Sequence, residues 1–187
     1  MVMEILDVVD RNGIPTGKTV TREEAHRDGV LHRTSHVWIF RRRGERIEVL
    51  FQKRAAEKDS FPNCYDVASG GHIPAGDDFL PSAIRELKEE LGVTADAGEL
   101  EYCCRTPVSY RDGFHGKAFL DREINNVYLL WLDQEAEAFA IDPTEVQKVH
   151  WFDLNDVTYR IAHGDPKFCV YLEELMMVRK YLGAENE

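Results

Sequence analysis

The 187-residue chain lacks any excess of positive charge: 23 Lys and Arg stand against 34 Asp and Glu, for a formal net charge of -11. A nucleic acid polymer or an anionic membrane surface would be repelled before specific contacts formed, so neither is an expected partner. A small anionic substrate remains open if a metal ion supplies the local positive charge. Long apolar runs are missing too, and no stretch approaches the length of a membrane span. The opening MVMEILDVVDRNG carries acids and has no basic head or apolar run, so a signal peptide is not expected. The cysteines are few: Cys64, Cys103, Cys104 and Cys169 show no paired metal-ligand spacing, and the adjacent pair would be strained as a disulfide. Reduced thiols in a cytoplasmic protein are therefore expected. Repeats, low-complexity tracts and linkers rich in Pro, Gly and Ser are absent, so residues 1–187 read as one domain. With 43% hydrophobic and 10% aromatic residues, that domain can bury a substantial core.

What is present is mostly strand-like. EILDVVD and KTV flank the turn RNGIPTG, an Asn-Gly hairpin signal. Thr21 and Glu24 have the spacing of a capping box, opening a short helix in REEAHRDG that Gly29 stops. SHVWIF and IEVLFQ form a hairpin across the basic tip RRRGER, and LEYCCRTPVSY, INNVYLLWL and VQKVHWF have the β-branched and aromatic content of strands. RDGFHGKAFLDRE reads as a polar loop long enough to carry function. In DPKFCVYLEELMMVRKYL, Phe168, Tyr171, Leu172, Leu175, Val178 and Leu182 stand near helical spacing, which predicts an amphipathic packing helix. Such a list suits a mixed sheet covered by helices.

One further helix carries an unusual charge pattern. It starts near Asp77 or Asp78, tolerates Pro81 in its first turn and ends at Gly92. Leu80, Ile84, Leu87 and Leu91 gather on one stripe, the expected buried face. Glu86, Glu89 and Glu90 stand at i, i+3 and i+4 beside it, and three carboxylates in one patch repel one another unless a cation sits among them. Arg85 and Lys88 supply some positive charge, but a hard divalent ion binds more carboxylate oxygens at once. Just upstream, SGGHIPAGDD offers Gly70, Gly71 and Gly76, where the backbone can turn tightly and expose carbonyls as hard oxygen ligands. Loop and helix together describe a site for Mg2+ or Mn2+.

Residues 71–93, GHIPAGDDFLPSAIRELKEELGV, resemble the Nudix box, G-x5-E-x7-R-E-U-x-E-E-x-G-U with U aliphatic. Gly71, Arg85, Glu86, Leu87, Glu89, Glu90, Gly92 and Val93 match, and only the early Glu departs, being Asp77. The resemblance implies an α+β fold, an α/β/α sandwich around a mixed β-sheet, with the box at the catalytic edge. It also implies a hydrolase that cleaves a diphosphate bond in a nucleoside diphosphate linked to another moiety, with Mg2+ or Mn2+ as cofactor. Carried across, Glu89 and Glu90 are the principal metal ligands, the Gly70 or Gly71 carbonyl is a further ligand, Glu86 is a ligand or the base for water, and Arg85 orients the acids. A base outside the box is common in the family, and Glu123 and Glu145 are the acids placed for it.

Beyond the box, VVDRNGIPTGKTVTREEAHRDGVLHR with VWIF and QKRAAEKDSFP is similar to the branch that includes isopentenyl-diphosphate isomerase, which makes residues 1–33 an N-terminal extension. In the isomerases, histidines matching His26, His32 and His72 help to bind a metal. The isomerase also needs a cysteine where this chain has Gly70, and an E-x-E pair where it has Glu123 and Asn125. Hydrolysis is therefore the leading expectation, with isomerisation and non-catalytic ligand binding as alternatives. Lys53, Arg54, His72 and Glu123 are the candidate substrate-binding residues for a small anionic diphosphate. Tyr110 and Phe114 could stack on a base or simply support the loop. His36, His115, His150 and His163 have no motif support. Relatives often dimerise, so a homodimer is allowed.

Overall fold

The computed structural model describes residues 4–114 and 116–184, apart from the side chains of 117 and 118; His115 lies outside the described residues. The chain opens with an antiparallel pair, β1 (Ile5–Val9) and β2 (Pro15–Thr21). Its turn is closed by Asp10, whose carboxylate accepts the backbone N–H groups of Asn12 and Ile14. The capping box forms as expected: Thr21 and Glu24 satisfy each other's backbone at the start of α1 (Arg22–Asp28), and Gly29 ends it in the left-handed conformation.

The chain then enters β3 (His32–Arg43), around which the sheet is arranged. β4 (Arg46–Arg54) pairs antiparallel with β3 only over Ile39–Arg43. Before that point β6 (Ser69–His72) pairs with Thr34–Val37 of β3, while β5 (Tyr65–Val67) pairs with Phe51–Lys53 of β4. The two long strands thus part, and two short strands fill the divergence. β8 (Lys117–Trp131) runs parallel along β3, β7 (Glu101–Phe114) pairs antiparallel with β8, and β9 (Val146–Asp153) pairs antiparallel with β4.

Because side chains alternate along a strand, this sheet feeds two cores. Val37 and Ile39 of β3, Leu50 of β4 and Ile124, Tyr128 and Leu130 of β8 pack under α2 (Phe79–Leu91) against Phe79, Ala83, Leu87 and Leu91. Trp38, Phe40, Val49, Phe51, Val127 and Leu129 face the other way, onto α3 (Leu154–Ala162) and α4 (Leu172–Tyr181) through Leu154, Val157, Leu175 and Val178. Each large apolar side chain so buried contributes roughly 1.5–3 kcal/mol. The result is the expected α/β/α sandwich around a mixed sheet. Among the described residues, no helix is long and apolar enough to cross a membrane.

Three local expectations need correction. RDGFHGKAFLDRE is not a loop: it belongs to the long β7–β8 hairpin, paired as far as Phe114 and Lys117. The C-terminal helix begins only at Leu172, because Phe168 bridges to Tyr65 and Cys169 N–H bonds the Tyr65 carbonyl, which keeps that segment extended along the sheet. The third is α3, which had no counterpart in the sequence reading; Asp153 caps it by accepting from the backbone of Asn155 and Asp156.

α2 begins at its N-cap Asp78 and ends at Gly92, whose φ is 67°. A Cβ at Gly92 would lie 2.7 Å from Ala140 Cβ and 3.0 Å from its carbonyl oxygen. Gly92→Ala therefore combines left-handed strain with a backbone clash, and we expect it to cost about 1–3 kcal/mol. Urea unfolding checks this, with Gly98→Ala as a control that should leave the midpoint in place, since nothing lies within 4 Å of that position.

Candidate active site

A cavity of about 400 Å³ is lined by residues from β3, β6, α2 and β8. Along one face of β3, His32, Thr34 and His36 follow one another at every second residue. His72 and Gly70 of β6 stand opposite Thr34 and His36, and Glu123 of β8 stands beside His32.

The three helix acids form one wall. Glu90 is buried, Glu86 is partly buried, and the Glu89 side chain is 58% exposed. Arg85 lies between two of them, 2.7 Å from Glu86 Oε1 and 2.8 Å from Glu89 Oε2. Glu90 accepts from Gln52 Nε2 at 3.1 Å and from the backbone N–H of Gly70 at 3.3 Å. Burial pushes the Glu90 carboxyl up to about 8, with Glu86 adding to the rise, and burial likewise pushes Glu86 up to about 7 against the pull of Arg85. The packing is tight: a Cβ on Gly71 would come within 2.5 Å of Glu86 Cδ. Glycine at position 71 is what lets Glu86 fold back against the loop.

His26, His32, His72 and Glu123 make a second cluster, with one ligand atom from each lying within 4.8 Å of the others. The rings form a nearly equal-sided triangle with centroid separations of 5.1, 5.2 and 5.2 Å. His32 Nδ1 meets the Val30 carbonyl at 2.8 Å, so its proton resides there and Nε2 points inward, buried and without a hydrogen bond. Glu123 Oε1 is 3.4 Å from His32 Nε2 and 3.7 Å from His72 Nε2, while Oε2 accepts from Thr34 at 3.0 Å. Burial opposes the Glu123 charge, but His32 and His72 hold the carboxyl below its usual range. Burial drives His26 down to about 4 and His72 well below its ordinary value. Burial lowers His32 too, but Glu123 overrides it and raises that imidazole; two neutral imidazoles, this third ring and the carboxylate form a donor set suited to a transition or divalent metal once the third ring gives up its proton. The acid wall fits a hard divalent ion for a different reason: its like charges are crowded in a partly dry place that proton uptake or a cation relieves.

Arg54 lines the cavity, bound to Asp66 at 2.9 Å and to the Ser60 carbonyl. Lys53 does not, because the neighbouring strand position points to the opposite face. Glu145 lines the cavity in an ion pair with Lys58. The Asp77 side chain is exposed and away from the wall; its carbonyl accepts from Arg33, which also pairs with Asp7 at 2.9 Å. Tyr110 and Phe114 pack with Phe61, and Phe114 meets Phe119, which stacks on His26 at 4.6 Å. Sequence reasoning passed over two cavity residues, His36 and Glu174. His36 Nδ1 lies 2.9 Å from Glu174 Oε1 across 138 positions of chain, a separation no local pattern signals. Burial works against the His36 charge, but Glu174 overrides it and pushes the imidazole up to about 9.

A mixed sheet between helices, with box acids on one helix walling a cavity, defines a Nudix domain. Residues 30–171 match the family model for the NUDIX domain, and the chain belongs to that family. It is 38% identical over 175 residues to Nudix hydrolase 3 of Arabidopsis thaliana, covering 91% of this chain and 22% of that protein, so it spans about a fifth of that relative's length. A Clostridium acetobutylicum protein named as an uncharacterized Nudix hydrolase is 36% identical over 146 residues, covering 78% of this chain and 68% of that one. Among solved structures, a Deinococcus radiodurans protein superposes with a TM-score of 0.69 at 23% identity, covering 92% of this chain and 97% of its own.

Gly71→Ala tests the cradle. The new methyl group forces Glu86 away from the loop, and we expect Mn2+ affinity, measured by calorimetry, to fall about 10- to 100-fold while the unfolding midpoint stays nearly unchanged.

Proposed function

We propose that this protein is a Mg2+- or Mn2+-dependent hydrolase of a diphosphate bond in a nucleoside diphosphate linked to another moiety. The observation that carries the reading is the placement of Glu86 and Glu90: both are drawn out of water at a cavity wall, next to each other and to Glu89, where a cation makes three carboxylates compatible without proton uptake. A divalent ion held there would screen the diphosphate, withdraw charge from its phosphoryl oxygens and ease deprotonation of the attacking water.

The chain's own residues do the rest. Arg85 fixes the spacing of Glu86 and Glu89, and Gln52 with the Gly70 N–H aims Glu90. Arg54, held by Asp66 and Ser60, brings a fixed positive charge to a cavity in which acids predominate. Of the candidate bases, Glu123 is held anionic by His32, His72 and Thr34, and Glu145 is engaged by Lys58. Glu86 is the acid we assign to proton acceptance, because it stands at the cavity wall between Gly71 and Arg85 while the other two candidates are engaged elsewhere. The histidine cluster adds a second cation site in this reading. We place the protein in the cytoplasm, where its four free cysteines stay reduced.

The histidine cluster also favours a second reading, an isopentenyl-diphosphate isomerase-like enzyme. Against it, residue 70 carries no thiol to protonate an alkene carbon, and Asn125 is engaged with Glu174 at 2.9 Å.

A panel of nucleoside diphosphate sugars, dinucleotides, coenzyme A, nucleotides and prenyl diphosphates, run with Mg2+ and with Mn2+, decides between them. We expect metal-dependent release of a nucleotide or phosphate from one class. Glu89→Gln and Glu90→Gln should each lower that rate by more than the roughly 10- to 100-fold that follows loss of a ligand's supporting partner. Double-bond migration in isopentenyl diphosphate without hydrolysis would replace this reading with the isomerase. Retained ligand affinity without turnover in either metal would replace it with a binding module.

A further inference from the structure

His36 sits on the same face of β3 as His32 and Thr34, between the acid wall and the histidine cluster. Its Nδ1 is fully engaged. Glu174 reaches it from α4 with both oxygens, at 2.9 and 3.1 Å, and the same carboxylate accepts from Trp38 Nε1 at 2.8 Å and Asn125 Nδ2 at 2.9 Å; that amide also stands 2.9 Å from Nδ1 but has the carboxylate as its acceptor. A buried carboxylate given that many donors is an anion and an acceptor, so Nδ1 keeps its proton and the adjacent charge stabilises a positive ring. Nε2 is different: it has no hydrogen-bond partner among the described residues, although the side chain lines the cavity and is 18% exposed.

Gly70 is the reason that edge of the ring is open. A Cβ there would lie 2.9 Å from His36 Cδ2 and 3.5 Å from Nε2, so any side chain at position 70 would crowd or cover the imidazole. A histidine–glutamate pair placed only for packing is a costly choice at a sheet face where apolar residues would serve. Here one end is secured by three elements and the other is left uncovered toward the cavity.

We propose that His36 is a substrate-binding residue of this site, donating a hydrogen bond from Nε2 to a phosphoryl oxygen of the diphosphate, with Glu174 as the residue that positions it. The assignment rests on reading the cavity as a diphosphate site. It places a fixed donor next to Gly70, at the edge of the acid wall, where a phosphate group drawn to that wall by a cation still has oxygens without partners.

The test uses the full chain labelled with 15N-histidine, with methylenediphosphonate and Mg2+ as a non-hydrolysable probe. The His36 Nε2 resonance, assigned through bonds in the unaltered protein, should shift saturably. His36→Gln and Glu174→Gln should each lower kcat/KM about 10- to 100-fold, the range for losing a hydrogen bond to a charged group, while Mg2+ dependence is retained. Glu174→Asp should recover part of that loss, which a merely structural role would not produce without a matching change in unfolding midpoint. An Nε2 resonance that stays fixed at saturating probe overturns the proposal, and so does unchanged kcat/KM in a folded His36→Gln protein. If the unaltered protein hydrolyses no diphosphate yet His36 responds to the probe, the hydrolase reading fails and the phosphate contact stands. Hydrolysis with a silent His36 gives the reverse.

Discussion

Strand alternation along β3 is the constraint on which the remainder of the molecule rests. Residues 33, 37 and 39 face α2, while 32, 34, 36, 38 and 40 face the other way, so one strand delivers a buried arginine, two apolar residues, a buried histidine, a cavity histidine and two aromatic core residues to their places. A slip of one residue would send Trp38 and Phe40 toward α2 and bring Val37 to the cavity. Such a register is held by pairing on both edges: β8 in parallel on one side, β6 and then β4 on the other. The parting of β3 from β4 is what lets a polar cavity open in the middle of an apolar sandwich.

Acids, imidazoles and cationic side chains all line that cavity. The acids of α2 gather on one side, Glu90 buried, Glu86 folded against Gly71 and Glu89 open to water. Imidazoles and Arg54 line other parts of the cavity, interleaved with Glu123, Glu145 and Glu174. Burial lifts the carboxyls of Glu86 and Glu90, whereas histidines hold down those of Glu123 and Glu174 against it. The protein thereby prepares places for cations and for anions within one volume, which is what a phosphorylated substrate accompanied by metal requires. The net charge of the chain, read alone, gives no hint of this local balance.

Much of this was readable in the residues because it is local. The capping box at Thr21, the Asn-Gly turn and the Asp78-to-Gly92 limits of α2 are set by neighbours a few positions away, and each appears where the pattern puts it. The acids at 86, 89 and 90 share a side because a helix repeats every 3.6 residues. What escaped was non-local. The segment after Asp165 looks helical by spacing, yet Tyr65, a hundred positions earlier, holds it extended. The stretch around Gly113 carries polar and glycine residues that suggest a loop, but β8 pairs along it and extends the sheet beyond the core. His36 stood in a strand-like run with nothing to mark it, since its partner sits near the other end of the chain and the glycine that uncovers it belongs to a third segment.

The ion pair between His36 and Glu174 has an evolutionary corollary. Replacing either member alone carries a cost: an unaccompanied carboxylate at 174 would sit beside Trp38 and Asn125 with its counter-charge gone, and an unaccompanied imidazolium would lose its anchor. Across descendants of this sequence, positions 36 and 174 are bound to drift in concert, and residue 70 with them, since a larger side chain there becomes admissible only when the ring behind it is traded for something smaller.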